Sequence, residues 1–431
     1  MPKFAPFRAI RYAPGTNLDL VIAPPYDVLS DADVMDLALT DPHNIVRVDE
    51  PARLLELTGS GVIPPGEEPP SAARACPHTI GPYAWAARLL SEWLADGVLI
   101  QDAEPSLTIY RMSFTDESGA DRVIVGLLGG LEVVDEGAGG VLPHEQTTPK
   151  AKTDRLDLTR ATGCNLSPVW GLSLASGLTD ALVEPGEVLG SMTAEGVLHS
   201  VERVSDPARI ARLQAILASD DVLIADGHHR YAISRTYRDE VRAATGRQDT
   251  EAEYTLAFVN ELIPGQLSIA AIHRLYSGVC LTHLRAVLGG CFDFEPAPEA
   301  SPETLRELVA LGRLVFLHPD GATEWMIPKA GAFTGVRNLD GALLEHALAP
   351  LAEPQTAAGA QLQVTYQHGL AEVKEALATG RYSAGVLIRP TSITEIERTA
   401  REGLLMPPKS TFFTPKLRTG LVIRPTARLG G

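Results

Sequence analysis

The sequence predicts a mixed α/β protein, because short apolar runs alternate with amphipathic stretches along the whole chain. Its 431 residues suggest two or three domains at about 150 residues per domain. The composition, 45% hydrophobic and 21% charged, is that of an ordinary globular protein and argues against a fibrous repeat or long disorder. We find no internal repeats and no low-complexity tracts in the chain.

The charge balance limits the kinds of partner that we expect this protein to bind. With 37 basic and 54 acidic residues the formal charge is 37 − 54 = −17, which repels phosphate backbones and argues against general nucleic-acid binding. No stretch approaches the roughly 18 uninterrupted apolar residues of a membrane span, and the first residues lack the apolar core of a signal peptide. We therefore expect a cytoplasmic protein with no membrane partner, and the sequence leaves a homo-oligomer open.

The cysteines support a reducing compartment. Cys76, Cys164, Cys280 and Cys291 are scattered and form no CxxC pair. Neither a disulfide framework nor a zinc site is predicted.

Residues 1–140 are predicted to form an amino-terminal α/β region. Ser30 is a candidate N-cap for a helix over 31–40, since its hydroxyl can accept a bond from a free amide in the first turn. A second helix over 83–96 has apolar residues at helical spacing, and strands over 106–114 and 121–134 form a hairpin. The Pro-, Gly- and Glu-rich stretch from 50 to 77 is predicted to be a surface excursion.

The rest of the chain is predicted to form two further regions, 141–275 and 276–431. The first has a polar segment over 142–165, a helix over 206–220, a buried strand over 221–225, and strands within 253–262 and 267–276. The second has strands over 313–319, 361–367 and 382–390, and helices over 369–380 and 392–403.

A compact group of polar residues follows the buried strand: Asp226, Gly227, His228, His229 and Arg230. The glycine allows a tight turn, the helix start offers free backbone N–H groups, and the two histidines and the arginine add donors. This pattern suits an anion such as a di- or triphosphate. The alternative is a structural turn in which the arginine pairs with a carboxylate. Neither a GxxxxGK[ST] loop nor a GxGxxG fingerprint occurs in the sequence.

A second group lies in the polar segment, where Glu145 is followed within ten residues by Lys150, Lys152 and Arg155. A carboxylate close to several cations can act as a general base while the cations hold a phosphate. The alternative is a solvated charged loop with no chemical role.

A third group contains Lys409, Ser410 and Thr411, with Lys416 shortly after. The chain has only seven lysines, and four of them, at 150, 152, 409 and 416, fall in this loop and the preceding one. This local use of lysine favours phosphate contact. The alternative is a proline-rich carboxy-terminal clamp.

Two weaker groups have turn-forming or structural alternatives. They are Tyr26 and Asp27 with His43, Asn44 and Arg47, and the pair His273 and Arg274, which we expect to be structural.

Three of these motifs resemble, in the same order, those of the free-serine kinases of the ParB/sulfiredoxin-like superfamily. The motifs are PHEQ at 143–146, DGHHRYA at 226–232 and PPKST at 407–411, and the likeness covers the chain from about residue 142 to its end. The whole chain, including APPYDVLS at 23–30 and HNIVR at 43–47, also resembles a widespread bacterial family of domains of unknown function.

The resemblance implies a ParB/sulfiredoxin-like phosphate-binding core over 141–275, closed by the region 276–431, with an additional amino-terminal region. It places the general base on Glu145 and Mg²⁺ on Asp226, with His229 as the third catalytic residue. It implies nucleotide contacts from Gly227, His228 and Arg230 and from Lys409, Ser410 and Thr411, while Lys150, Lys152 and Arg155 are candidate further contacts. The first 140 residues have no counterpart in those kinases, so they are a candidate lid, oligomer surface or part of the acceptor pocket.

We therefore predict a small-molecule kinase that transfers a phosphoryl group from ATP or ADP, with Mg²⁺, to a hydroxyl, with free L-serine as the first acceptor to test. The alternative from another class is a nucleotide-binding regulatory switch or slow NTP hydrolase without a small-molecule acceptor. Sulfinate phosphorylation of the sulfiredoxin type is disfavoured because histidines stand where that chemistry needs a cysteine.

Overall fold

The computed structural model describes residues 1–58, 81–115, 121–144, 152–352, 361–406 and 409–426. The chain divides into two compact units. The first comprises Met1–Leu267 together with Pro415–Gly431, and the second comprises Ser268–Thr414.

The described residues form fourteen α-helices, two short 3₁₀ helices (Tyr26–Val28 and Glu251–Glu253) and a larger number of strands, which confirms the predicted mixed α/β class. The helices of the first unit are α1 (Leu18–Val21), α2 (Asp31–Thr40), α3 (Val46–Asp49), α4 (Pro51–Thr58), α5 (Pro82–Ala95), α6 (Lys152–Thr162), α7 (Leu178–Ala181), α8 (Pro207–Leu217) and α9 (His228–Thr245). Those of the second unit are α10 (Leu281–Leu288), α11 (Pro302–Leu311), α12 (Asp340–Ala352), α13 (Leu370–Ala378) and α14 (Ile393–Arg401).

The strands are numbered along the chain. The first unit contains β1 (Phe4–Ala5), β2 (Ile10–Tyr12), β3 (Leu99–Gln101), β4 (Leu107–Thr115), β5 (Asp121–Glu132), β6 (Val141–Leu142), β7 (Cys164–Asn165), β8 (Val169–Ser173), β9 (Glu187–Ala194), β10 (Val197–Val204), β11 (Val222–Asp226), β12 (Tyr254–Glu261) and β21 (Arg424–Pro425). The second contains β13 (Ser268–Ala270), β14 (His273–Ser277), β15 (Phe292–Pro296), β16 (Leu314–Leu317), β17 (Thr323–Pro328), β18 (Gln363–Gln367), β19 (Ala384–Leu387) and β20 (Phe412–Thr414).

The first unit is built on a nine-stranded mixed sheet of order β6-β11-β8-β12-β5-β4-β10-β9, with β1 also paired to β5. Two pairs, β6 with β11 and β8 with β12, are parallel, and the remaining pairs are antiparallel. One side of this sheet forms a buried apolar core with α8, through Ile210, Leu213 and Leu217. The predicted hairpin of β4 and β5 lies at the centre of the sheet.

The second unit contains a six-stranded antiparallel sheet of order β15-β17-β16-β19-β14-β18. Side chains alternate between two apolar cores, so that Leu314 and Phe316 lie in one and Val315 and Leu317 in the other. This period of two is the one expected of a sheet buried on both faces, since successive side chains of a strand point to opposite sides.

The sheet of the first unit takes strands from both sides of residue 140, where the sequence analysis divided the chain, because the hairpin of β4 and β5 pairs directly with β12. The polar segment over 142–165, to which the sequence assigns neither helix nor strand, contains α6, whose charged side chains hide its helical pattern. In the part of the chain that the structure describes, no helix has both the length and the apolar character needed to cross a membrane.

Candidate functional site

The motif at 226–230 forms a strand, a one-residue turn and a helix. Asp226 ends β11, and Gly227 adopts the left-handed conformation with φ of 86° before α9 begins at His228. Glycine suits this backbone angle, and a Cβ atom here would lie 3.0 Å from Nε of Arg230, so that a side chain would also require the guanidinium to move. The first-turn N–H groups of this 18-residue helix therefore begin directly after an uncapped glycine, the arrangement that suits an anion.

Two cations hold the Asp226 carboxylate. Arg230 Nη2 lies 2.9 Å from its Oδ2, and Lys416 Nζ lies 3.4 Å from its Oδ1. Arg230 Nη1 also donates to the carbonyl oxygen of Pro168. Burial alone would raise the pKa of Asp226, but the ammonium and guanidinium outweigh it and hold that pKa below its ordinary value. The carboxylate is therefore ionised at neutral pH.

The strand that leads to Glu145 lies beside this turn. β6 pairs in parallel with β11, with Val141 opposite Val222 and Leu142 opposite Leu223, so both chains leave the sheet at the same edge. His144 is fully buried, and its Nδ1 donates to the carbonyl oxygen of Ile224 over 2.6 Å. This bond ties the chain just before Glu145 to the strand that ends in Asp226.

The rings of His144 and His228 pack edge to face, with centroids 4.7 Å apart, and the backbone N–H of His144 donates to Nε2 of His228 over 3.4 Å. Burial lowers the pKa of His144 to about 4 and lowers that of His228, to which the neighbouring imidazole of His144 also contributes. Both rings are therefore neutral at pH 7.

A largely buried ionic cluster connects the end of α3 with α6. The guanidinium of Arg155 contacts Asp49 Oδ1 at 3.2 Å, Glu50 Oε1 at 2.7 Å and Asp154 Oδ2 at 2.6 Å. Its Cζ lies 4.5 Å from the ring centroid of Tyr26, which it covers as in a cation–π contact. Burial raises the pKa of Glu50 to about 7 and that of Tyr26 to about 12, and it also raises the pKa of Asp49.

The ionic cluster and Arg230, in the first turn of α9, border the same cleft in the first unit. Tyr26, Asp49 and Arg155 line one part of it, and Arg230 lines it next to Asp226. The remaining polar lining comes from Asn165, Ser167, Thr159, Ser234 and Thr255. A small polar molecule in this cleft would therefore lie next to Arg230, the residue that pairs with Asp226 at the turn.

The predicted site residues do not all fall in this place. Asp226, Gly227, His228, His229 and Arg230 form the turn and the first turn of α9. Arg155 lines the cleft, although its guanidinium is engaged by three carboxylates.

Glu145 and Lys150 lie outside the described residues, as does the side chain of Lys152, the first residue of α6. Lys409, Ser410 and Thr411 belong to the second unit. There Lys409 has a φ of 60° and its carbonyl oxygen accepts from Arg274 Nη2, while that of Ser410 accepts from the Thr391 hydroxyl.

Most of the weaker groups have structural roles. The side chain of Asn44 donates to the carbonyl oxygen of Leu20 and accepts from the N–H of Val46, and Arg47 Nη2 donates to the carbonyl oxygen of Ala38. In the second unit, His273 Nδ1 accepts from the N–H of Ile388. Of these residues, Tyr26 lines the cleft.

The sequence analysis missed Asp49 and Glu50. A signal was present, because two acidic residues directly follow the apolar pattern IVRV at 45–48, where a buried carboxylate needs a cation. Lys416 stands out in the sequence because lysines are few in this chain. Its contact with Asp226 connects the last residues of the first unit to the sheet of that unit, and no local sequence pattern predicts this contact.

Among the described residues no group of three or more His, Cys, Asp or Glu side chains has a metal-ligating arrangement. A Mg²⁺ ion that arrives with a nucleotide needs only one or two protein carboxylates, because phosphates and water supply the other ligands. Asp226, ionised and at the end of β11, fits that smaller requirement.

A comparison with models of protein families shows which family this chain belongs to. The family model described as protein of unknown function (DUF1015) matches residues 4–341. The chain belongs to the DUF1015 family. No curated protein matches this DUF1015 chain.

Several solved structures are similar to this DUF1015 protein at low identity. A free serine kinase in complex with AMP is 12% identical with a TM-score of 0.36, covering 65% of this chain and 89% of that one. A conserved hypothetical protein from Pyrococcus furiosus is 11% identical with a TM-score of 0.35, covering 65% and 92%. SbnI with a C-terminal truncation from Staphylococcus aureus is 15% identical with a TM-score of 0.35, covering 68% and 87%. At these TM-scores the likeness assigns neither a site nor an activity.

Proposed function

We propose that this DUF1015 protein is a small-molecule kinase that transfers a phosphoryl group from ATP or ADP to a hydroxyl, with L-serine as the first acceptor to test. The observation that carries the proposal is the parallel pairing of β6 with β11, which brings His144 against His228 at the turn after Asp226. Phosphoryl transfer needs bound phosphates and a base near the acceptor hydroxyl, and this edge of the sheet supports both.

The donor phosphates would bind at the start of α9. Gly227 leaves room for an oxygen close to the backbone, and the first-turn N–H groups carry the positive end of the helix dipole. Lys416 and Arg230 add two cations on either side of Asp226. His228 and His229 complete the first turn, and neutral His228 can donate a hydrogen bond without adding charge.

Asp226 is the residue that would hold Mg²⁺, which, when bound with the nucleotide, neutralises negative charge on the transferred group. The low pKa of Asp226 keeps its carboxylate ionised at neutral pH, with Arg230 and Lys416 each in contact with one of its oxygens. Lys409, Ser410 and Thr411 remain proposed nucleotide contacts on the strength of the PPKST motif alone.

Glu145 would accept the proton of the acceptor hydroxyl. The position of its neighbour supports this role, because His144 is locked by its bond to Ile224 and by its contact with His228. Because Glu145 directly follows His144 in the chain, this fixed neighbour supports the proposal that a general base acts at this end of the sheet.

The test is to incubate the full chain with Mg-ATP or Mg-ADP and L-serine, and to assay O-phosphoserine. We expect Glu145→Gln to lower turnover by about 10²- to 10⁴-fold with nucleotide binding retained, as for loss of a general base. Asp226→Asn should lower both turnover and nucleotide binding. Asp221→Asn, at the residue just before the start of the same strand, is the matched control and should keep wild-type turnover.

Nucleotide binding with hydrolysis that is indifferent to Glu145→Gln, and no transfer to any hydroxylated acceptor, would instead establish the switch or slow hydrolase. Failure to bind ATP or ADP would reject both functions.

A further inference from the structure

Only one of the two Asp49 carboxylate oxygens takes part in a hydrogen bond with the residues that the structure describes. Its Oδ1 accepts from Arg155, but its Oδ2, although buried, has no hydrogen-bond partner among the described residues. The residue is only 3% exposed, and it lines the cleft that Arg230 also borders. A buried carboxylate oxygen without a donor is costly, so its persistence points to a donor that comes with a ligand.

The charge around Asp49 defines what kind of donor this is. One guanidinium, that of Arg155, serves three carboxylates: Asp49, Glu50 and Asp154. The other cations near this group have carboxylate partners of their own: Arg53 contacts Asp31 as well as Glu50, and Arg230, which lines the same cleft, is paired with Asp226. The cluster is therefore acidic in balance, and a positively charged donor fits it better than a neutral one.

The rest of the lining agrees with a small polar occupant. Asn165, Ser167 and Ser234 bring an amide and hydroxyls to the cleft, and the Tyr26 ring covers the guanidinium of Arg155. The cleft continues to Arg230, which holds Asp226 at the turn. A molecule that places an amine on Asp49 thus has its other end near the proposed phosphate site.

We propose that Asp49 Oδ2 binds the protonated primary amine of the acceptor, so that the cleft selects small amino alcohols over molecules that carry a hydroxyl in place of the amine. That the ligand is a phosphoryl acceptor with a hydroxyl group rests on the proposed kinase function. That it carries an amine rests on the geometry of Asp49 alone. In this proposal Asp49, on α3 of the amino-terminal region, selects the substrate.

The experiment uses two pairs of compounds that differ only by replacement of the amine with a hydroxyl: L-serine with L-glycerate, and ethanolamine with ethylene glycol. Each is titrated calorimetrically into the full wild-type chain with ADP present, and each is tested as a phosphoryl acceptor with Mg-ATP and Mg-ADP. In at least one pair we expect the amine to bind about 10- to 100-fold more tightly, the range for a hydrogen bond between charged groups.

Asp49→Asn keeps an oxygen for Arg155 but replaces Oδ2 with a nitrogen that cannot accept. We expect it to abolish the preference for the amine and to leave binding of the hydroxyl analogue within about threefold of wild type. The matched control is Asp154→Asn, which removes another carboxylate from Arg155 without altering the lining of the cleft, and it should keep the preference.

The two proposals fail in different ways. Equal binding within both pairs, or an Asp49→Asn variant that keeps the preference, overturns the assignment of the amine site even where phosphoryl transfer is observed. Tight amine binding without transfer from either donor supports the site and rejects the kinase. The wild-type pairs decide the matter if the Asp49→Asn variant does not fold.

Discussion

The imidazole of His144 packs edge to face on that of His228, 84 positions further along the chain, and the backbone N–H of His144 donates to the Nε2 atom of the His228 ring. The acceptor role of Nε2 requires it to be unprotonated, and the bond from His144 Nδ1 to the carbonyl oxygen of Ile224 fixes the other ring. The two histidines thus form a neutral, buried joint between the ends of β6 and β11.

We expect this joint to make folding sensitive to acid. The folded-state pKa of His144 is about 4, below the ordinary value of 6.5, so its stabilising contribution is fully present above pH 6.5 and is lost as the pH falls to 4. Between pH 7 and 5 the loss amounts to about 2 kcal/mol of unfolding free energy for this residue. Urea denaturation at the two pH values measures it.

The matched variants are His144→Asn, whose amide can replace the donor to Ile224, and His283→Asn on the exposed face of α10. The first should reduce the difference between pH 7 and 5, and the second should leave it unchanged. An unaltered pH dependence in His144→Asn would show that this ring does not titrate as the geometry requires.

Local sequence patterns predict an element correctly where the residues that determine it are close together in the chain. The predicted N-cap Ser30 begins α2, and its hydroxyl accepts from the N–H of Asp33 while the Asp33 carboxylate accepts from the N–H of Ser30. All of this capping box lies within four residues, so the sequence contains it in full. The Asp226–Gly227 turn before α9 was predictable for the same reason.

The ionic cluster could not be found in this way. Arg155 meets Asp49 and Glu50 from 106 and 105 positions away, and a charged stretch in sequence has the same appearance whether its partners are distant carboxylates or water. The apolar pattern before Asp49 signals burial of α3, but only the packing of α3 and α6 in the first unit identifies the cation. For the same reason the contact of Lys416 with Asp226 was beyond the sequence.

The second prediction concerns Glu50 in that cluster. Burial raises its pKa to about 7, so the folded state retains a proton that the unfolded chain releases near 4.5. Its contribution to stability is therefore fully present below pH 4.5 and is lost as the pH rises through 7. Glu50→Gln, which still accepts from Arg155, should remove about 1–2 kcal/mol of the stability difference between pH 5 and 8.

Denaturation at pH 5 and pH 8 tests this, with Glu56→Gln on the exposed side of α4 as the control. A Glu50→Gln variant that loses as much stability as wild type over this range would mean that Glu50 is ionised throughout. In that case the positive charge of Arg155 would stabilise the ionised Glu50 carboxylate by more than burial destabilises it.

The third prediction uses the two glycines that flank α9, since both have positive φ, 86° at Gly227 and 69° at Gly246. Alanine at either site should cost about 1–2 kcal/mol of unfolding free energy from backbone strain. At Gly227 the new Cβ would also lie 3.0 Å from Nε of Arg230, whereas at Gly246 it meets nothing within 4 Å. Gly227→Ala should therefore displace the guanidinium from Asp226 and weaken ADP binding by about tenfold or more, while Gly246→Ala leaves it unchanged. Similar affinities in the two variants, measured by titration with Mg-ADP, would mean that the start of α9 does not hold the phosphates.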